Sequence, residues 1–379
     1  MPKYIYEYKQ WPNFTWNEKR IGNLLGKVRH LQGKIFGQMN NIGFTLKEET
    51  YLSTLTLDVL KSSEIEGEFL NYEQVRSSIA QKLGIETSGM VHAGRDVEGV
   101  VEMMLDATRN YDKDLSNERL FGWHASLFPT GYSGMYKIET GCYRKGEMQV
   151  VSGAMGKEKV HFEAPHHDKV QEEMNLLLNW IKNEKDVDLV IKSAIIHFWF
   201  IIIHPFDDGN GRIARALTDL LLAKSEQSSL RFYSLSNQIL TEKKTYYSIL
   251  QKVQHSSGDI TEWLEWFLNC LYCSLKSTES TLEKVFDKAN FWEYHKETEL
   301  NSRQRKMLNK LFDGFEGKLK SSKWAKIVKC STDTALRDIK DLISKGILEQ
   351  ETSGGRSTNY ELIRKPGANN GNRCTSSKK

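Results

Sequence analysis

The chain has 379 residues, 39% of them hydrophobic and 27% charged, with a formal net charge of +4. That is length for two or three domains, apolar content for packed cores, and too little charge to argue by itself for nucleic acid or a membrane surface. Residues 1–10 are polar and aromatic, without the apolar stretch of a secretory signal, and no apolar run reaches the ~18 residues that span a bilayer. Five cysteines are scattered along the chain. Cys270 and Cys273 form a C-x-x-C pair within an amphipathic run, residues 260–275, with no second ligand pair nearby, so they read as core thiols. The expected compartment is reducing cytoplasm, with no membrane partner.

Residues 1–95 read as an accessory helical region. Trp11, Phe14 and Trp16 open it, and apolar spacing predicts helices over 21–38 and 46–60. The second helix runs into Ser62-Ser-Glu-Ile-Glu66-Gly67, where Gly67 is a natural stop. Ser62 and Glu66 are four apart and share a helix face. A carboxylate at a helix C-terminus is unfavourable without a cationic partner. Residues 96–275 are mostly helical but are broken after Gly141-Cys-Tyr143-Arg144. There Val150, Val151, Val160, His161 and Phe162 flank a Gly-Ala-Met-Gly-Lys turn and predict a short β-hairpin. The adjacent His166 and His167 could suggest a metal site, but they lack helical spacing and partners and read as a surface turn.

The richest stretch is 204–215: His-Pro-Phe-Asp-Asp-Gly-Asn-Gly-Arg-Ile-Ala-Arg. Apolar residues 195–203 precede it and 213–222 follow with helical spacing, which predicts a tight loop between two buried helices. Pro205 disfavours helix in the residue before it. Gly209 and Gly211 flank Asn210 and allow the backbone N–H groups to form an anion-binding nest. Arg212 and Arg215 lie on the first turn of the second helix, where cations are unfavourable unless an anion is bound. Nest, helix N-terminus and two guanidinium forks together suit a polyphosphate. His204 adds a general base and Asp208 an oxygen ligand for Mg²⁺. Gly-Asn-Gly alone is more often a plain turn; its combination with the rest in twelve residues points to nucleotide chemistry.

The stretch resembles the signature of Fic-domain proteins, His-x-Phe-x-[Asp/Glu]-Gly-Asn-Gly-Arg-x-x-Arg, at every defined position. The resemblance implies a mainly α fold, the Fic helical bundle with a short β-hairpin flap. It implies transfer of AMP from ATP to a Tyr, Thr or Ser hydroxyl of a target protein, with Mg²⁺. On that basis His204 is the base and Asp208 the metal ligand. Gly209, Asn210 and Gly211 hold the α-phosphate, Arg212 and Arg215 clamp the outer phosphates, and Phe206 plugs the loop into the core. Doc-type kinases of the family have Ala at the first nest glycine, so Gly209 favours AMP transfer over phosphate transfer.

The resemblance also gives meaning to the other segments. Ser62, Glu66 and Gly67 fit the [Ser/Thr]-x-x-x-Glu-[Gly/Asn] pattern of autoinhibited members, in which the Glu pairs with the second arginine, here Arg215. Removal of AMP with this Glu positioning a water stays open. The 148–162 hairpin, with Val160, His161 and Phe162, corresponds to the flap that registers the target's side chain. Tyr246 and Tyr247 help to wall the adenine pocket, whereas Gln254 stands where many members have Asn.

Residues 276–299 read as a helical linker and 300–363 as a third unit. Helices over 303–312, 322–328 and 331–344, then Gly346-Ile-Leu, a 353–356 turn and Tyr360-Glu-Leu-Ile, predict a winged helix-turn-helix. Ser331 would cap the recognition helix, and Lys329, Arg337, Lys340 and Arg356 would meet phosphates. Asp333, Asp338 and Asp341 dilute that positive charge. DNA bound through 300–363 is therefore an alternative partner, and a nucleotide-sensing regulator an alternative function; a homodimer is left open. The tail 364–379 reads as disordered.

Overall fold

The computed structural model describes residues 3–40, 43–85, 90–152, 159–312, 315, 317–351 and 358–363, apart from the side chains of residues 44, 45 and 152. The turns expected at 153–157 and at 353–356, with Arg356, and the tail 364–379 lie outside the described residues. The fold is mainly helical. In chain order come α1 (Glu18–Asn40), α2 (Phe44–Ile65), α3 (Tyr72–Leu83), α4 (Arg95–Arg109) and α5 (Asn117–Leu127). Next are β1 (Tyr132–Ser133), β2 (Tyr136–Lys137), β3 (Gln149–Ser152) and β4 (Lys159–Glu163). They are followed by α6 (Val170–Asn183), α7 (Leu189–Ile203), α8 (Asn210–Glu226), α9 (Leu235–Thr241), α10 (Lys243–Val253) and α11 (Thr261–Tyr294). The last elements are α12 (Ser302–Phe312), α13 (Ser321–Val328), α14 (Thr332–Ser344), β5 (Leu348–Gln350) and β6 (Tyr360–Leu362). The strands form three separate antiparallel pairs. Two compact units result, Met1–Glu279 and Ser280–Lys379.

At the centre of the first unit, α7 packs along α8. A helix apolar on all sides must be buried, and almost every residue of α7 is, despite the modest helix propensity of its Ile and Val. Its polar residues are there to make specific bonds. Lys192 donates to the carbonyls of Ile181 and Glu184 at 2.8 and 2.7 Å, ending α6. Burial pushes its pKa down to about 8. His197 joins three helices, with Nδ1 2.9 Å from the Thr218 hydroxyl and Nε2 2.9 Å from that of Tyr246. Burial drives its pKa to about 3, so it is neutral.

The N-terminal region is packed onto this centre. Trp11 and Phe14 meet the ring of Trp199 edge-on. Arg29 of α1 holds Asp188, the N-cap of α7, at 2.8 and 2.9 Å. Asp58 of α2 accepts from the hydroxyl of Ser234 and the backbone of Ser236 at the start of α9. Helices α1 and α2 outrun the expected 21–38 and 46–60, because apolar spacing marks only the buried stripe, not the polar turns that continue it. α3 has no counterpart in the apolar reading, yet its ends are written in the chain. Asn71 accepts from Gln74 N at 3.1 Å as N-cap, and Gly84 closes the helix in the left-handed region. Cys142, Cys270, Cys273 and Cys330 are free thiols; Cys270 is buried, but Cys273 is exposed, so only the first is a core thiol. No helix among the described residues is long and apolar enough to cross a membrane.

In the second unit α12, α13 and α14 pack around Met307, Leu308, Trp324, Ile339 and Leu342, with Ile347, Leu348 and Tyr360 of the strand region. Ser331 Oγ accepts from Thr334 N at 3.1 Å and caps α14. Asp338 does not dilute the charge of the outer face of α14. It is 4% exposed and turned inward, where Arg303 reaches it at 2.8 and 2.9 Å and Asn301 at 2.9 Å. Lys329, Arg337 and Lys340 are exposed.

Candidate active site

α7 ends at His204, whose backbone turns into the left-handed region at φ 50° and ψ 59°. For a side chain with Cβ that conformation costs about 1–2 kcal/mol, so other contacts must hold it. Arg144, 3% exposed, supplies them: Nε donates to the His204 carbonyl at 2.8 Å and its backbone N to the Pro205 carbonyl at 2.9 Å. The same guanidinium donates to the carbonyls of Gly146, at 2.8 Å, and Pro165, so it also grips both feet of the β3–β4 hairpin. His204 Nδ1 lies 3.2 Å from the Ile201 carbonyl. A carbonyl only accepts, so Nδ1 carries the proton and Nε2 keeps its lone pair. Burial lowers the pKa of His204, against the pull of that carbonyl, and Arg144 lowers it further.

The loop that follows is closed by its own side chains. Asn210 accepts from Phe206 N at 3.0 Å and donates to Phe206 O at 2.7 Å. The Phe206 ring is fully buried and stacks on His124 at 4.3 Å. Burial holds the pKa of His124 near 4, so this ring too is neutral. Gly209 adopts φ 79°, and a Cβ there would come within 2.9 Å of Phe128 Cε2. Its N–H is already engaged by its neighbour's carboxylate, Asp208 Oδ1, at 2.5 Å. Asp208 Oδ2 accepts from the hydroxyl of Ser133 on β1. The first intrahelical donor of α8 is Ile213 N, to Gly209 O. The amides of Asn210, Gly211 and Arg212 therefore face out of the helix end, as an anion site requires.

Into this end comes the C-terminus of α2. Arg215, 2% exposed, donates through Nε to Ser62 Oγ and through Nη2 to both Ser62 O and Glu66 Oε1, each at 2.8 Å. Glu66 Oε1 lies so close to Gly211 that a Cβ on that glycine would sit 2.0 Å from it. Lys243 donates to the Ile65 carbonyl at 2.5 Å, so cations meet the last carbonyls of α2 from two sides. Gly67, at φ 86°, turns the chain back. Glu68 then reaches Arg212, with Oε2 2.5 Å from Nη1. Arg212 also stacks over Phe128, 5.0 Å from its centroid. Burial raises the pKa of Glu68, partly offset by Arg212. Arg212 Nε and Arg215 Nη1 are buried and have no hydrogen-bond partner among the described residues.

Tyr246 is buried with its hydroxyl on His197, and Tyr247 beside it, ring centroids 5.0 Å apart, is 43% exposed. Burial raises both phenol pKa values, that of Tyr247 to about 12. On the hairpin, Val160 is exposed, whereas Phe162 points inward and meets Tyr4 edge-on at 5.1 Å. The His161 carbonyl accepts from Gln254 Nε2 at 2.8 Å. Gln254, just past the end of α10, thus holds the hairpin. The structure brings together Ser62, Glu66, His204, Asp208 and the arginines. Sequence reasoning missed Glu68, Ser133, His124, Lys243 and the anchoring role of Arg144. Only Glu68 was visible in principle, as a second acid two residues after Glu66 matching a second arginine.

Residues 114–222 match the Fic/DOC family and residues 4–85 a domain of unknown function, DUF4172. The chain carries a Fic domain. A probable protein adenylyltransferase of Aquifex aeolicus is 32% identical over 136 residues, 36% of this chain and 38% of that protein. The protein adenylyltransferase fic-1 of Caenorhabditis briggsae is 27% identical over 186 residues, 48% of this chain and 33% of that protein. The chain thus spans little more than a third of these curated relatives. The fold resembles that of a Fic family protein from Desulfovibrio desulfuricans G20, with a TM-score of 0.53 at 23% identity over 94% of this chain and 99% of that one.

Replacing Arg144 by Ala leaves the carbonyls of His204 and Pro165 without their donor, whereas water can reach that of the exposed Gly146. At ~1–3 kcal/mol for each unmet group, the loss should be about 2 kcal/mol or more. Calorimetry should show a Tm roughly 4 °C or more below wild type. An unchanged Tm would mean that the guanidinium is not holding the loop.

Proposed function

We propose that the chain is a protein adenylyltransferase, held in an inhibited state by its own α2. The observation that carries this is the occupation of both motif arginines by acids of one neighbouring segment, Glu66 on Arg215 and Glu68 on Arg212. An anion site with unpartnered guanidinium nitrogens beside free helix-end amides is made for phosphates, and here carboxylates stand in it. The names of the similar proteins support AMP as the group transferred.

In the active state Arg212 and Arg215 clamp the outer phosphates of ATP, and the α8 amides hold the α-phosphate where charge develops. Tyr246 and Tyr247 flank the adenine. The target hydroxyl, from Tyr, Thr or Ser, gives its proton to His204 Nε2 as its oxygen bonds to the α-phosphorus. The bond from that phosphorus to the bridging oxygen breaks and pyrophosphate leaves. The Asp208 carboxylate, a hard donor next to the Ser133 hydroxyl, fits Mg²⁺. That ion would offset charge on the leaving pyrophosphate. The exposed edge of the hairpin at Val160 would pair with the target backbone. Glu66 excludes this arrangement by taking Arg215; removal of AMP, with Glu66 orienting a water, is the reverse use of the same groups.

ATP labelled at the α or the γ phosphate, supplied with Mg²⁺ and cell lysate, tests this. Glu66→Gly should raise protein labelling from α-labelled ATP on the order of tenfold or more, the equivalent of losing a competitor worth ~1.4 kcal/mol. Glu68→Gly should raise it less, since Glu68 is the more exposed acid. His204→Ala should abolish it. Label from the γ phosphate, or no response to Glu66→Gly, would overturn the reading.

The lowered pKa of His204 fixes the sign of the pH response. A base works when deprotonated, so transfer by Glu66→Gly should stay level down to about pH 6.5, the ordinary histidine value, and fall only below it. An acid limb centred above that value would contradict the assignment.

DNA binding by the second unit is a second reading, favoured by the inward pairing of Asp338, which leaves Arg337 and Lys340 facing solvent on α14. The full chain should then shift duplex DNA at low salt, less strongly at higher salt, and Arg337→Ala with Lys340→Ala should weaken it. Equal shifts for the two proteins would remove the idea.

A further inference from the structure

The feet of the β3–β4 hairpin carry a cluster that the reaction does not use. Glu147 precedes β3 by two residues, and His166 and His167 follow β4 by three and four. Two neighbouring histidines without partners read from the sequence as a surface turn; folding supplies the partners. Glu147 Oε1 lies 2.9 Å from His166 Nε2 and 3.2 Å from His167 Nδ1. One donor atom from each of the three residues falls within a 4.8 Å cluster. Ligands of a tetrahedral ion bound at ~2.0–2.1 Å stand roughly 3.3 Å apart, so small ring rotations suffice to meet that geometry.

The second ring nitrogens matter as much. His166 Nδ1 is 3.2 Å from Asp168 Oδ2, and His167 Nε2 is 3.3 Å from Asp168 Oδ1. His166 Nδ1 also accepts weakly from the Asp168 backbone N–H at 3.4 Å, a bond that a proton on Nδ1 would replace by one to Asp168 Oδ2. The His167 ring faces a carboxylate oxygen on each side, so a neutral ring sets a lone pair against one of them. A cation on the Glu147 side resolves this: each ring then gives its lone pair to the ion and its N–H to Asp168. Histidine ligands backed by a carboxylate are the usual second layer of such sites.

We infer that Glu147, His166 and His167 form a binding site for a divalent transition metal ion of the zinc type, with Asp168 orienting both rings. Imidazole and carboxylate donors select zinc, cobalt, nickel or copper over Mg²⁺, so the site is chemically distinct from Asp208. The ion would clasp the two feet of the hairpin, next to the carbonyls of Gly146 and Pro165 that Arg144 holds. The inference does not depend on the adenylyltransferase reading.

The test uses the full-length chain without an affinity tag, stripped with EDTA and titrated with Zn²⁺ by calorimetry, and with Co²⁺ followed by its visible absorption. One ion should bind. Glu147→Gln, His166→Ala and His167→Ala should each weaken it at least tenfold, whereas the exposed His30→Ala should not. Circular dichroism would verify that the variants are folded. As a second readout, amide exchange in β3 and β4 should slow with Zn²⁺ in the wild type and not in Glu147→Gln. Absence of Zn²⁺ binding by the wild type, or equal binding by folded Glu147→Gln and His166→Ala, would overturn the site.

Discussion

A guanidinium keeps its proton in a protein, so Arg215, almost wholly buried on α8, has to be met by oxygen on the sides from which water is excluded. Ser62 and Glu66 meet it with a hydroxyl, a carbonyl and a carboxylate. That need explains why the end of α2 lies against the start of α8, and why a side chain at Gly211 would have to displace the Glu66 carboxylate. It also explains how a carboxylate is tolerated at a helix C-terminus. Truncating one partner of such a buried pair leaves an uncompensated charge, unless another anion takes its place. A polyphosphate is such an anion, so the inhibited and nucleotide-bound states proposed above would be alternative ways of satisfying one buried charge.

Around that charge, most of the local order comes from groups that only hold backbone. Asn210 closes the loop on Phe206, Phe206 rests on the neutral ring of His124, and Arg144 fixes the carbonyl after which α7 stops. His204 is thereby kept in a backbone conformation it would not choose, with one nitrogen committed to a carbonyl and the other left basic. The same Arg144 grips the feet of the hairpin, and Gln254 holds its second strand. The hairpin and the 204–209 loop therefore share an anchor, and whatever stiffens the feet of the hairpin acts close to His204. Glu147 and the two histidines sit at that junction.

The second unit shows how burial edits a charge pattern. Counted along the sequence, α14 alternates cations and anions and looks poorly suited to a polyanion. With Asp338 bonded to Arg303 and Asn301 inside the unit, the outer face is more basic than the residue count implies.

Much of the site was legible in the chain itself. Twelve contiguous residues carry the proposed base, the proposed metal ligand, the helix-end amides and both arginines, because a loop between two helices is a local structure whose geometry is set by Pro205, Gly209 and Gly211. The apolar runs on either side, the glycine that ends α2 and the alternating valines of the hairpin are local signals too. Composition and periodicity therefore determined the mainly helical class and the place of the hairpin. Pairings across large sequence separations were decided only by the tertiary structure. Glu68 finds Arg212, Arg144 finds the backbone of His204, Gln254 finds His161, and Glu147 finds the two histidines, through packing of whole helices whose register no residue spacing encodes. Asp338 and Cys273 differ from expectation for the same reason: which face of a helix is buried depends on what packs against it.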